Sequence, residues 1–339
     1  FQAEDGIRDR SPSRGLGDVY KRQHVSTTPG KHREAALSLL QHLRGTDAAF
    51  KITPQDFSQA RELAQAARSR AEALQQELYA EDPSRDTDKQ RMAALKQWSE
   101  TAELFHEALK LADQKVPVED INHVRFHLSY AYYYLDRNYE SAIVAERIAR
   151  GYPDHSLSKK ASFLMIAAYL QAYNQRPGQS AFEVNQIIRT AQYLLKQWPT
   201  SSESNQTRII LGGLYGQQGD PDRAAKWFGA VTESSEHYLE SRQKAGMAYW
   251  NAFLRAKQLP ASKRPNQTTL KKYAELAQQI LEDISTESRG QIPVGEPVPD
   301  PLLTAELYLA HIAIHNDQYP KALSLLVRAD STGGNKHPG

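Results

Sequence analysis

The chain has no cysteine, three methionines and four tryptophans in 339 residues, and no apolar run long enough to cross a bilayer as a helix. The missing cysteines exclude disulfides, thiolate nucleophiles and every cysteine-ligated zinc or iron-sulfur centre. A dominant charge is missing too: 42 Lys+Arg stand against 40 Asp+Glu, a net charge of +2, which gives no electrostatic reason to hold nucleic acid or an anionic bilayer. With 24% charged and 40% hydrophobic residues the composition is that of a globular protein, not a disordered or fibrous one. Alternating strand patterns are absent, whereas apolar residues recur at steps of three and four, as in Ala35, Leu39, Leu40 and Leu43. The expected fold class is all-α.

Catalytic signatures are equally scarce. No G-x-S-x-G elbow and no kinase or hydrolase set occurs. The carboxylate pairs Glu119-Asp120 and Glu282-Asp283 are consecutive, so on helices they point to different faces and cannot easily divide acid and base roles. The glycines from Gly212 to Gly219 lack the preceding strand and the following Lys-Ser/Thr of a phosphate loop; Asp220-Pro221 follows instead. His311 and His315, four apart, share a helix face, but Ile312 stands where a metalloprotease glutamate belongs and no third ligand is indicated. Ligand or solvent contact is expected there, with no metal and no cofactor. Asn205-Gln206-Thr207 and Asn266-Gln267-Thr268 fit the glycosylation acceptor rule, a three-residue match to which no function is ascribed.

Two long helices are predicted ahead of the rest. Thr53 as N-cap with Pro54 at the first position starts one that runs to about Ala80 and ends at Asp82-Pro83. The other covers about Asp88 to Gln114, with Met92, Leu95, Trp98, Ala102, Phe105, Leu109 and Ala112 as its apolar stripe. They are expected to pair as a hairpin.

Beyond Pro117 the chain repeats itself. Leu211, Gly212 and Tyr215, a turn at Gly219-Asp220, then Ala224 and Phe228 make one unit; Ala245, Gly246 and Tyr249 restate its first helix, and 249 minus 215 is 34. This resembles the tetratricopeptide repeat, whose period is about 34 residues. Looser copies are Leu128, Ser129, Ala131, Tyr132, Tyr139, Ala142 and Ala149, with a turn read as one residue too long, and Leu309, Ala310, Tyr319, Ala322 and Ala329. The stretch from Tyr152 to Leu170 parallels that from Trp198 to Gly216 at an offset of 46. Loop insertions are expected at 257–267 and 288–301, both rich in proline.

The resemblance implies a right-handed α-solenoid of helix pairs, preceded by the long hairpin, whose first helices line a concave groove. Carried over residue by residue, it marks His123, Phe126, Tyr130, Tyr133 and Tyr134; Glu240, Gln243, Met247, Trp250 and Asn251; and Thr304, Leu307, His311, Ile314 and His315. Phe126, Tyr130, Tyr133, Tyr134, Met247, Trp250, Asn251, His311 and His315 are the candidate binding residues, since aromatic residues and Met are favoured where proteins meet proteins.

The expected organisation is therefore 1–23 as a tail, 24–116 as N-terminal helices with the hairpin, 117–330 as the solenoid and 331–339 as a truncated tail. Within 1–23, QAEDGIRD and SRGLGDVYKRQ resemble the translation of a sequencing adapter, so this stretch is set aside as non-native. The natural protein is expected to continue past both ends, and the face of Leu323, Leu325 and Leu326 to lie open. The expected function is a non-enzymatic scaffold that binds a peptide or protein subunit, without nucleic acid or a small-molecule cofactor; membrane anchoring would have to come from the missing N-terminus. The alternative is the helical, non-catalytic region of a larger enzyme, for example one acting on the cell wall, its catalytic domain outside this fragment. The phrase RIARGYPDHSLSKKASFLMIAAYL resembles repeats of bacterial envelope proteins, which leans the expected location toward the periplasm.

Overall fold

The computed structural model describes residues 54–79, 87–176, 181–290, 292 and 298–333, and among these it is all-α, with no strand. Its helices are α1 (Phe57–Tyr79), α2 (Thr87–Leu111), α3 (Val118–Tyr134), α4 (Asn138–Gly151), α5 (Ser158–Gln175), α6 (Ala181–Gln197), α7 (Ser202–Gln217), α8 (Pro221–Gly229), α9 (Tyr238–Gln258), α10 (Gln267–Arg289), α11 (Asp300–His315) and α12 (Tyr319–Gly333). None of the described helices is long and apolar enough to cross a membrane. The helical stretch expected near Ala35, the Thr53 cap, the Asp82-Pro83 stop, the adapter-like segment and residues 334–339 of the expected C-terminal tail lie outside the described residues.

The chain divides into two compact units, one ending at Lys196 and the other beginning at Gln197. The division falls inside the stretch read from sequence as a single solenoid, and no break occurs at 116/117. The reason is that α2 packs against both α1 and α3, so the hairpin is continuous with the helix pairs that follow it.

In the first unit α1 starts at Phe57, three residues after Pro54, the expected first helical residue. Asp56 accepts the Gln59 amide through Oδ1 at 2.9 Å, and the Gln59 side chain accepts the Gln55 amide at 3.1 Å. A carboxylate at the N-cap with a glutamine three residues on meets two otherwise orphaned donors at once. The buried stripe of α2 is Ala94, Trp98, Thr101, Ala102, Phe105 and Ala108. Met92, expected in it, is exposed. Helix α6 closes the unit: Tyr193 donates its hydroxyl to the Ala149 carbonyl at 2.7 Å, and Tyr139 donates to Glu183.

In the second unit, small residues bring paired helices together as the pattern required. A Cβ at Gly212 would lie 2.7 Å from the Phe228 ring, and one at Gly246 would lie 2.7 Å from Leu281. The packing partners in these two pairs are thus Gly212 on α7 with Phe228 on α8, and Gly246 on α9 with Leu281 on α10. Caps set the helix starts: Ser201 for α7, Asp220 followed by Pro221 for α8, and Asn266 for α10. The first proline-rich insertion falls largely on the connection between α9 and α10, while residues 291 and 293–297 of the second lie outside the described residues.

Three interhelix turns have one design. Asp136, Gly219 and Asp317 each adopt a left-handed backbone, with φ of 58°, 77° and 56°. The next amide in each case bonds back five residues: Arg137 to Tyr132 at 2.9 Å, Asp220 to Tyr215 at 2.9 Å and Gln318 to Ala313 at 2.8 Å. This is the closure that satisfies the last carbonyls of a helix, and Asp is among the few side chains besides Gly that reach it cheaply.

The common design corrects the sequence alignment. Asp136 follows Tyr132 by four residues, as Gly219 follows Tyr215, so the α3–α4 turn is not one residue too long. The position equivalent to Ala224 is then Ser141, not Ala142. Ser141 is fully buried, and its carbonyl accepts the Ser129 hydroxyl at 2.8 Å. Serine meets the demand for a small residue while bonding across the pair. The offset of 46 also has a structural counterpart, because Ser158 donates to the Tyr152 carbonyl and Ser204 to the Trp198 carbonyl.

Candidate functional site

The nine candidate groove residues separate by burial. Phe126, Tyr130, Tyr133 and Trp250 are between 0% and 3% exposed, Tyr134, Met247 and Asn251 are half-buried, and His311 and His315 are exposed. The first four are core residues in this structure, which corrects their assignment as open groove anchors. An anchor needs surface to give up on binding, and these have almost none.

On α3 the cause is the hairpin. Trp98 of α2 lies flat on Tyr134, ring centroids 4.5 Å apart and planes 5° from parallel, and presents an edge geometry to Tyr130 at 5.8 Å. The Tyr130 and Tyr134 hydroxyls are 3.0 Å apart. Tyr130 and Tyr134 are consumed by packing between α2 and α3, whereas the Tyr132 ring lies under the Arg137 guanidinium at 4.2 Å. Such stacked and edge-on contacts add about 0.5–1.5 kcal/mol each beyond the area they bury.

The remaining candidates do meet, on α9 and α11. Trp250 and Phe253 of α9 stack at 5.0 Å, and His311 and His315 of α11 stand edge-on to them at 5.1 to 5.6 Å. The Trp250 indole N–H donates to His311 Nδ1 at 3.3 Å, and Lys257 Nζ lies 3.2 Å from His315 Nε2. His311 Nδ1 thus accepts from the indole, and with Lys257 as the donor His315 Nε2 accepts in the same way. Burial first, then the nearby Lys257 ammonium and His311, push the His315 pKa below its ordinary value, with Asp317 opposing. An ammonium beside one ring and an indole on the other point this pair away from shared metal ligation.

Around this cluster the surface changes character. Leu307 and Ile314 on α11 are 48% and 45% exposed, on the same side as the two histidines. Asn251 hydrogen-bonds Tyr308, while Gln243 Nε2 lies 2.7 Å from the Met247 sulfur, so these polar groups fix the α9 side of the surface. Tyr308 is half-buried, and burial raises its pKa. Among the other positions carried over from the repeat, His123, Glu240 and Thr304 are half-buried and Gln243 is buried. Glu240 is engaged by His237 and Lys244, which hold its carboxyl at about 2.

Sequence reading missed Phe253, Lys257 and Tyr308. Trp250, Phe253 and Lys257 lie at i, i+3 and i+7, one stripe of a helix, and that spacing was the available signal. The two glycosylation matches also differ. Asn205 is buried and bonded to Thr232 and Arg208, whereas Asn266 is exposed and caps α10.

At the last helix Leu323 and Leu326 are exposed, along with Tyr319 and Val327, but Leu325 is buried at 6% and belongs to the core. Leu325 is one residue from Leu326 and two from Leu323 and Val327, about 100° and 200° round the helix, so it turns inward where they face solvent.

No family model and no curated protein matches the chain. Among solved structures, BtubC (BKLC) from P. vanneervenii is similar at 16% identity, covering 86% of this chain and 96% of that one, with a TM-score of 0.32. A signal transduction ATPase with numerous domains (STAND) that carries a tetratricopeptide repeat sensor, from Pyrococcus horikoshii, is similar at 13% identity and a TM-score of 0.36; the chain is covered over 91% of its length and spans 48% of that protein. No function is drawn from either.

Proposed function

We propose that the chain is a tetratricopeptide-like repeat scaffold, without catalytic activity of its own, that binds a peptide or protein subunit on the joint face of α9 and α11. The reading is supported by the shared turn design at Asp136, Gly219 and Asp317 and by the close approaches at Gly212 and Gly246. The observation that carries the binding face is the exposed row Leu307, His311, Ile314 and His315, set on a rigid floor of Trp250 and Phe253. Exposed apolar side chains next to imidazoles and buried aromatics provide area to bury and polar groups to orient a ligand. Preformed packing beneath them keeps the entropic cost of binding low.

The test uses exposed residues, so that folding is spared. Affinity capture with the wild type is compared with the triple variant Leu307→Ala, His311→Ala and Ile314→Ala, with partners identified by mass spectrometry. Loss of a partner in the triple variant, with unchanged helicity and melting, is the expected result. A partner retained by the triple variant places binding elsewhere and refutes the assignment of this face.

A further inference from the structure

Far from α9 and α11 in sequence, the first unit brings together three groups that no motif announces. Glu119 and His123 lie one turn apart near the start of α3, and His155 comes from the connection between α4 and α5. Glu119 Oε1 is 3.4 Å from His123 Nε2, and Glu119 Oε2 is 2.9 Å from His155 Nε2. One ligand atom from each of the three lies within 4.8 Å of the others.

The His155 side chain is only 4% exposed, yet its Nε2 makes no hydrogen bond. The carboxylate oxygen 2.9 Å away makes an electrostatic contact with this nitrogen but no hydrogen bond. A buried ring nitrogen without a hydrogen-bond partner is rare in a folded protein and asks for an explanation. An ion held jointly by that nitrogen, the carboxylate and His123 supplies one.

We propose that Glu119, His123 and His155 form a binding site for a borderline divalent transition ion of the zinc and cobalt(II) class. Two imidazoles and one carboxylate favour such an ion over magnesium or calcium, which take oxygen ligands. Three protein ligands leave further coordination positions to solvent or a ligand. The ion ties α3 to the connection entering α5, in place of the electrostatic contact made by Glu119 alone. The Ser156 hydroxyl, which donates to Glu119 Oε1 at 3.3 Å, orients the carboxylate from outside.

Coordination has one local consequence. Nε2 ligation requires the His155 proton to sit on Nδ1, and Nδ1 now accepts the Leu157 amide at 3.1 Å. That single bond is exchanged for a coordinate bond. The sequence alone suggested no metal, because Glu119 was read only against its neighbour Asp120 and His155 is 36 residues further on.

The experiment is a cobalt(II) titration of the full chain after chelator treatment, read by visible absorption, with zinc as competitor. One equivalent taken up and displaced by zinc is expected in the wild type, and a loss of at least about tenfold in affinity in Glu119→Gln and in His123→Ala. His155→Ala is read only where its circular dichroism matches the wild type. His123 is half-buried and outside the core, so its variant tests the site independently of folding. His311→Ala with His315→Ala leaves uptake unchanged. Absence of stoichiometric uptake in the wild type, or uptake unaltered in Glu119→Gln and His123→Ala, overturns the proposal. Neither result bears on partner binding at α9 and α11.

Discussion

Two adjacent glycines in α7 should respond in opposite directions to the same substitution. At Gly212 a methyl group would meet three atoms of the Phe228 ring at 2.7 to 2.8 Å, including Cγ at the root of the ring, which cannot retreat without moving α8. At Gly213 nothing lies within 4 Å of the added carbon. Replacing glycine by alanine inside a helix gains about 1 kcal/mol from backbone entropy at either position. Overpacking at Gly212 costs about 1–3 kcal/mol, which exceeds that gain over most of its range. Gly213→Ala is therefore expected to stabilise by about 0.5–1 kcal/mol, and Gly212→Ala to destabilise by about 0.5–2 kcal/mol. For a unit of this size each kcal/mol moves the melting temperature by about 2–4 °C, so the two variants should separate by several degrees on opposite sides of the wild type. Thermal melting followed by circular dichroism at 222 nm is the assay. Equal melting temperatures for the two variants, or a Gly212→Ala protein more stable than the wild type, would refute the close approach of α7 and α8.

Other expectations concern charge. Glu240 has its carboxyl held at about 2, against an ordinary 4.5, mainly by His237 and then by Lys244. A depressed carboxyl pKa gives stability that is complete above 4.5 and is lost as the pH falls from 4.5 toward 2. The shift corresponds to about 3.4 kcal/mol, which solvent screening at this partly exposed group reduces to about 1–2 kcal/mol. Urea midpoints at pH 5 and pH 2.5 should therefore fall less in Glu240→Gln than in the wild type, and an equal fall would contradict the pairing. Glu306, fully buried, accepts Arg289 at 2.8 Å and Arg328 at 3.1 Å, with Ser285 at 3.1 Å. Glu306→Gln removes the charge and keeps the shape; a loss of about 2–3 kcal/mol in chemical denaturation is expected, and a neutral outcome would show that the two arginines are satisfied by solvent. His315 has its pKa lowered, so its contribution is present above the ordinary histidine value and is lost as the pH falls below it; an NMR titration placing His315 above free histidine would reverse that sign.

Much of the fold was legible because its determinants are local. Asp220-Pro221 and Asn266 announce helix starts within three residues, and the glycines at 212 and 246 mark close approaches by type alone. The helix pairs beyond Pro117 follow from the period of apolar residues. Ser141 was passed over because the turn before it was read as one residue too long, which moved the Ala224 position to Ala142; its burial and its carbonyl bond to Ser129 make it the true counterpart of Ala224. Met92 was placed on the wrong face because a helix of 25 residues offers more than one plausible stripe, and only the arrival of α1 and α3 selects among them.

The sequence by itself determined that this chain is all-α, where the side-chain-capped helices such as α8 begin, and which small residues let helices approach, since hydrogen bonds within a few residues and side-chain volume control these. Tertiary structure alone decided which faces remain open. Whether Tyr130 and Tyr134 are free or packed depends on whether α2 lies on α3, and Trp98 shows that it does. Whether Trp250 reaches a histidine depends on α11 lying beside α9, 61 residues further along the chain. The meeting of Glu119 with His155 likewise exists only once α3, α4 and α5 have packed, because chain separation carries no information about which loops a helix pair will bring together.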